Sequence, residues 1–330
     1  MQMRRLALLA LLCLAPLAAR AACEGRDLRA TLSEETQAAV AAAAARHPYP
    51  EGNRWRAERD GRVIDILGTI HLDDPRLARI AEDFRQALAR ADLLLVEMSP
   101  EDEAALRRNF ASDPGRLLLP GAQTLPALMP DAAWARLAEE LRARGIPPAM
   151  GARMQPWYLS LQLAIPACAA ETIAAGARGL DHRVTGMAKE TGVPIRSLED
   201  PETLFSLFED EPLERQVRLM QASLLPEGRG EDIFATLVES YFDETHAEAW
   251  ELSRLLATET VALPEEEVNA LYDELAEELL AARNRAWIEV IESAGAERIA
   301  LAFGAAHLFG EAGVLALLER EGYTLTRLDF

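Results

Sequence analysis

The chain has 330 residues, half of them hydrophobic, with 54 acidic side chains against 34 basic ones and a formal net charge of −20. That length and apolar content can bury a sizeable core, as one large domain or two. The acidic balance excludes nucleic acid and anionic membrane surfaces as electrostatic partners.

In chain order, the first feature is a targeting segment. Arg4 and Arg5 precede an apolar run over residues 6–17, and Ala19-Arg20-Ala21 fits a small-residue cleavage site. Residues 1–21 therefore read as a secretory signal peptide. A retained anchor is the alternative, but the run is short for one. Arg20 stands where a lipoprotein signal wants an apolar residue. The mature chain, 22–330, is expected to be a single domain, secreted or periplasmic, with no stable membrane insertion. Removing three arginines and no acids takes the charge from −20 to −23. Cys13 leaves with the signal. Cys23 and Cys168 remain as an even pair in an oxidising compartment, so a Cys23–Cys168 disulfide is expected, two free thiols being the alternative.

An Ala-rich stretch at 37–45 predicts a helix. Asp60-Gly61, between strand-like runs at 53–57 and 63–67, predicts a hairpin. Residues 75–90 carry helical spacing at Leu77, Ile80, Phe84 and Leu88, with Asp73 or Asp74 to cap it and Pro75 in the first turn. Leu93-Leu94-Leu95-Val96 is a continuous apolar strand, of the kind buried on both faces, and it stops at Glu97. A helix at 182–191 leads to a strand at 193–198, which ends at Glu199. Further helices are predicted over 131–144, 201–207, 213–224, 232–258 and 265–293. The C-terminus repeats the opening scheme: strand at 298–303, tight connection at 304–307, helix at 311–321, closing strand at 323–328. Right-handed crossovers would set the strands of each unit parallel. The fold class is α/β: a mixed, largely parallel sheet built from two strand–GxxH–helix–strand units, with a large helical insertion at about 101–290.

Common catalytic signatures are missing. The sequence has no H-E-x-x-H, G-x-S-x-G, P-loop or C-x-x-C, and no complete dinucleotide fingerprint. It does carry one frame twice: strand, G-x-x-H-L, helix, at 68–72 and 304–308. The bare G-x-x-H also occurs at Gly179-Leu180-Asp181-His182, without the trailing leucine. Ligands of parallel sheets bind outside the carboxyl ends of the strands. That rule places His71, Glu97, Glu199 and His307 on one rim. Neutral imidazoles with carboxylates suit a divalent metal, or an acid/base set acting on water. Taken singly, each His could simply bond a loop and each Glu could cap a strand end. The matched frames and shared rim favour a site. Arg283 follows Leu271, Leu275 and Leu279 on an apolar helical stripe. A charge there calls for a buried carboxylate or a bound anion, unless the side chain lies along the surface with its head in water. Asp181 either faces the same site or is a plain N-cap. His246 reads as the solvated surface of a long polar helix, His47 as a loop residue, and Trp157 as core or pocket wall.

Taken together and in order, these residues resemble the TraB/GumN family, which includes the animal Tiki proteins. The resemblance runs from about Trp55 to Leu328. It rests on Gly68-Thr69-Ile70-His71-Leu72, Leu95-Val96-Glu97, Gln155-Pro156-Trp157, Gly179-Leu180-Asp181, Leu198-Glu199, Arg283-Asn284 and Gly304-Ala305-Ala306-His307-Leu308. Cys23-Glu24-Gly25 and Pro166-Ala167-Cys168 also look like a bacterial subgroup. The resemblance implies a fold shared with erythromycin-esterase-like and ChaN-like proteins, and a paired G-x-x-H site with a glutamate and an arginine. It also implies metal dependence, since Tiki members are described as metal-dependent proteases. Gln155 departs from a lysine common before Pro-Trp, so no role for that lysine carries over.

The expected function is an exported metal-dependent hydrolase, with peptide bonds as one candidate substrate. His71, Glu97 and His307 are the expected ligands of a divalent metal ion, Mn, Co or Zn. Glu199 is expected as a base or further ligand, Arg283 as the group that orients a carboxylate or stabilises an oxyanion, and Asn284 as a hydrogen-bonding partner. The alternative is a periplasmic haem, iron or small-ligand binding protein that uses the same histidines without turnover. A metal-free esterase using His and Glu on water is a third reading.

Overall fold

Asp60 and Gly61 both adopt left-handed backbone (φ 49° and 85°), the conformation that a two-residue hairpin with matching strand twist requires. They join β1 (Arg54–Arg59) to β2 (Arg62–Thr69). The computed structural model describes residues 23–174, 176, 178–226, 228–260 and 263–330. The expected signal peptide, 1–21, lies outside them.

Four more strands complete the sheet: β3 (Leu93–Val96), β4 (Ile195–Ser197), β5 (Arg298–Gly304) and β6 (Thr324–Arg327). Their order is β4-β3-β5-β2-β1-β6. The first four are parallel neighbours, whereas β1 is antiparallel to both β2 and β6. β6 therefore runs in the same direction as β2 and β5. The strands of each predicted unit are co-directional, but they are not adjacent. β5 fills the slot between β2 and β3, which sets Thr69 opposite Gly304 and Val96 opposite Ala302. This late insertion brings the two ends of the chain together at one rim.

Ile64, Ile66, Leu67, Leu94, Leu95 and Phe303 are fully buried in the main core. Helix Leu77–Leu88 packs Leu77, Ile80, Phe84 and Leu88 against it, the stripe its spacing predicts. Each such side chain contributes roughly 1.5–3 kcal/mol when fully buried. The predicted insertion is helical on either side of β4, over 100–191 and 201–292. It has a smaller core of its own around Leu125, Leu137, Leu159 and Met220. Cys23 is bridged to Cys168, with Cα atoms 5.4 Å apart, which fastens the N-terminal segment to helix Ala167–Ala174. Among the described residues no helix is long and apolar enough to cross a membrane.

Two helices differ from expectation. The helix predicted over 232–258 is two, Arg229–Phe242 and His246–Thr260, separated at Glu244 in left-handed backbone (φ 62°). The break is docked on the segment before β1. Asn53 Nδ2 donates to the Tyr241 carbonyl at 2.7 Å, and Gly52 N–H donates to that of Glu244 at 3.0 Å. The helix predicted over 265–293 is continuous, but it widens to a π-helix at Ala276–Ala281 before Ala282–Glu292.

Candidate functional site

The glycines of the repeated frame work by close approach. Neither Gly68 nor Gly304 has a positive φ. A methyl group on Gly68 would lie 2.6 Å from Leu308 Cδ1, so the first frame packs directly on the leucine that ends the second. A methyl on Gly304 would lie 3.2 Å from Glu97 Oε1 and 3.9 Å from both His71 Nε2 and the His307 ring. Gly304 thus lies beside all three expected ligands, the nearest His307 atom being ring carbon Cδ2.

The two histidines are held differently. His71 lies just beyond β2, with its side chain 67% exposed. Its Nδ1 is 2.7 Å from Asp181 Oδ2, and its Nε2 is 3.9 Å from Glu97 Oε1. The Asp181 carboxylate draws its pKa up to about 10, against the effect of burial. His307 ends the turn Ala305–His307 and is buried. Its Nδ1 is 2.6 Å from Asn284 Oδ1, and its ring stacks on Trp287 with centroids 4.3 Å apart. Burial pushes its pKa down to about 4, with Arg283 adding to the effect and Glu97 opposing it.

Arg283 is buried, as its place on the apolar stripe suggested, and its partners are carboxylates. Its Nε donates to Glu199 Oε1 and Oε2 at 3.1 and 3.0 Å, and Nη2 bonds both Glu199 and Glu97, the latter at 3.0 Å. Nη1 reaches the Leu279 carbonyl at 2.9 Å and His307 Nε2 at 3.3 Å. Glu97 Oε1 also accepts the Gly304 N–H at 2.6 Å. Burial opposes ionisation of Glu97, but His307, His71 and Arg283 with the Gly304 N–H hold its carboxyl below the ordinary range. Burial likewise opposes the charge on Arg283, and Glu199 and Glu97 keep its pKa raised.

A cleft of about 210 Å³ opens on this cluster, lined by His71, Glu97, Met98, Glu103, Asp181 and Glu199 among others. Arg283, Asn284 and His307 do not line it; they stand behind Glu97 and Glu199. Asp181 is not an N-cap, because Gly179 occupies that position in helix Leu180–Thr191. Its side chain accepts from Thr69 Oγ1 and pairs with His71, and burial is outweighed by His71, so its pKa is lowered. The Leu180 N–H donates to the Ile70 carbonyl at 3.0 Å, which docks the third G-x-x-H segment on the first. His182 contributes no ring to the centre of the cluster; its Nε2 is 3.5 Å from Glu103. His246 is buried rather than solvated, between Asn53 Oδ1 at 3.2 Å and the Tyr49 carbonyl at 3.1 Å, because the helix break turns it inward. His47 pairs with Glu251 at 2.7 Å and packs its ring edge-on against Phe309.

Imidazoles and carboxylates are donor types that divalent cations take. Asn284 Nδ2 donates to the Ala312 carbonyl at 2.9 Å, which leaves its Oδ1 to accept from His307 Nδ1. Asp181 accepts from His71 Nδ1 in the same way. His71, when neutral, presents Nε2 as its lone pair, the arrangement in which an outer acceptor orients a metal-binding histidine, whereas His307 Nε2 already accepts from Arg283 Nη1 at 3.3 Å. Asp181, Glu97 and Glu199 also outnumber the single guanidinium, so the cluster with neutral rings lacks two positive charges. Among the described residues no three His, Cys, Asp or Glu side chains stand close enough to enclose an ion; Arg283 Nη1 lies against His307 Nε2.

The model of the TraB/PrgY/gumN family matches residues 53–327. The chain belongs to the TraB/PrgY/gumN family. All six residues expected at the site, and Asp181 with them, fall inside the stretch matched by the TraB/PrgY/gumN model, whereas Cys23 lies outside it. The chain is also similar to Uncharacterized protein YbaP of Escherichia coli (strain K12), at 22% identity over 258 residues, 78% of this chain and 88% of that protein. YbaP of Shigella flexneri is similar to the same extent.

Proposed function

We propose that this TraB/PrgY/gumN protein is an exported, metal-dependent hydrolase of acyl bonds, ester or amide, peptide bonds included. The observation that carries the reading is the convergence of His71 Nε2, Glu97 Oε1 and the His307 ring on Gly304, with both Nδ1 atoms held by acceptors. His71, Glu97 and His307 would hold a divalent ion, Mn, Co or Zn. Such an ion, when bound, supplies a water that ionises near neutral pH and polarises the carbonyl under attack.

The remaining roles follow from contacts of the chain itself. Glu97 faces the cleft and is kept ionised, so it accepts the proton of an attacking water. Arg283 reaches both carboxylates and fixes their orientation. Glu199 has both oxygens on Arg283 and acts as its positioning partner, rather than as a base or ligand. Asp181 and Asn284 position the His71 and His307 rings. The low-dielectric surroundings of Arg283 strengthen these interactions. Export accords with residues 1–21, and a substrate other than nucleic acid with the acidic balance of the chain.

The test is turnover of short-chain p-nitrophenyl esters and peptide anilides by mature protein loaded with Mn, Co or Zn. Chelation should abolish turnover and re-addition restore it. Glu97→Gln should lower kcat by about 10²–10⁴-fold. No hydrolysis with any of the three metals, or full activity in Glu97→Gln, defeats the reading.

A further inference from the structure

The stripe Leu271, Leu275, Leu279 that leads to Arg283 is only partly buried. These leucines line a second cavity, of about 450 Å³, enclosed by helices Pro156–Leu163, Leu213–Ala222, His246–Thr260 and Glu265–Leu275. That volume lies within the range of small-molecule sites, roughly 300–1,000 Å³. The walls are mainly apolar side chains, among them Leu161, Phe208, Leu219, Ala222 and Ala257.

Two helices tie this cavity to the polar cluster. Leu279 lines the cavity, and its carbonyl accepts from Arg283 Nη1 at 2.9 Å. The two residues are one turn apart, about 6 Å along the axis, at the end of the π-helical segment Ala276–Ala281. Helix Pro201–Glu209 has Pro201 on the cleft beside Glu199 and Phe208 on the cavity. π-Helical turns are frequent at functional sites.

The polar atoms of the wall distinguish between ligands. Ser160, Ser223, Ser253 and Thr260 each donate their hydroxyl to a carbonyl of their own helix, at 2.7–3.0 Å. The Gln216 amide donates to the Glu209 and Glu211 carbonyls. The wall also carries Glu211, paired with Arg215 at 2.9 Å, and Tyr272; a peptide strand here would still bury more amide groups than these two residues can partner, which is costly. An alkyl chain brings no such groups. The indole Nε1 of Trp157, a residue of the same wall, is buried with no hydrogen-bond partner.

From these features we infer that the cavity binds a linear acyl chain, and that the acyl bond delivered to the rim cluster belongs to a long-chain ester or amide. This substrate class rests on the hydrolase reading; the binding site does not. The test is displacement of 11-(dansylamino)undecanoate from mature protein by dodecanoate, butyrate or the peptide N-acetyl-Leu-Leu-Leu amide. Dodecanoate should bind at least about tenfold more tightly than butyrate, since each buried methylene strengthens association, and the peptide should not compete. Ala257→Trp and Ala222→Phe fill the cavity and should weaken dodecanoate binding at least about tenfold, with the thermal midpoint as the check on folding. In turnover, kcat/KM should rise from p-nitrophenyl acetate to the dodecanoate ester, and Ala257→Trp should remove that rise while acetate turnover persists. Equal binding of butyrate and dodecanoate, peptide binding without dodecanoate binding, or undiminished binding in both folded variants overturns the inference. If the variants do not fold, the chain-length comparison on wild-type protein decides. Dodecanoate binding without turnover of any ester would overturn the substrate class and sink the hydrolase reading while leaving the acyl site standing.

Discussion

The two G-x-x-H-L frames have the same sequence pattern and opposite environments. His71 is open to the cleft and bonded to a carboxylate, which draws its pKa up to about 10. His307 is buried, bonded to an amide and stacked on Trp287, and its pKa falls to about 4. The frame fixes where each ring stands; the residue on Nδ1 and the access of water fix its charge. Repetition of a motif therefore need not mean repetition of a role.

Arg283 stands between the two environments, and its loss should have the largest effect. Arg283→Met leaves Glu97 and Glu199 buried without their cation. Removing one partner of a buried charge cluster costs about 3–5 kcal/mol, so urea denaturation should show a loss of that order. A loss under 1 kcal/mol would mean that water replaces the guanidinium and that the two frames are not joined through it.

Next in size, Asn284→Ala strips the acceptor from a buried imidazole N–H, a change that costs about 1–3 kcal/mol. At the open frame, Asp181→Ala strips acceptors from both His71 and the buried Thr69 hydroxyl, so it is measured in a Thr69→Val background, where it should cost less than Asn284→Ala because water reaches His71. Equal losses in the two variants would erase the contrast between the frames.

The smallest effect is also the most specific. In metal-free protein, Asp181→Asn should let His71 titrate near the ordinary value of about 6.5, read by NMR of the ring, and leave His307 unmoved. Asp181 has a lowered pKa, so its share of stability is present above the ordinary aspartate range and lost as pH falls through the lowered value. His71 has a raised pKa, so its share is full below about 6.5 and lost as pH rises through about 10. The stability gap between wild type and Asp181→Asn should therefore peak between about pH 4 and 6.5 and narrow on both sides. A gap that stays constant across pH contradicts the ion pair.

Local chemistry was legible in the sequence. Asp60-Gly61 announced its hairpin because the turn itself demands those residues. The apolar spacing of Leu77 to Leu88 showed which face is buried. Arg283 on an apolar stripe called for a buried anion, and Glu97 and Glu199 supply it. Contacts between distant segments were not legible. Asp181 read equally as a site residue or a cap because its partner lies 110 residues away; Gly179-Leu180-Asp181-His182 marked the right segment, from which the aspartate pairs with His71 and His182 lines the cleft beside Glu103. The break at Glu244 carries no glycine or proline and is set by docking on Asn53, which also buries His246. The stripe Leu271, Leu275, Leu279 has the same spacing whether it faces core or cavity.

In the proposed hydrolase the two frames form one metal site. The direct measurement is metal content, after loading with Mn, Co or Zn and desalting, of mature wild-type protein and of His71→Ala and His307→Ala, each shown to be folded. About one equivalent per chain is expected in wild type, and its loss in both variants. No uptake by wild type, or full retention when either histidine is removed, would contradict it.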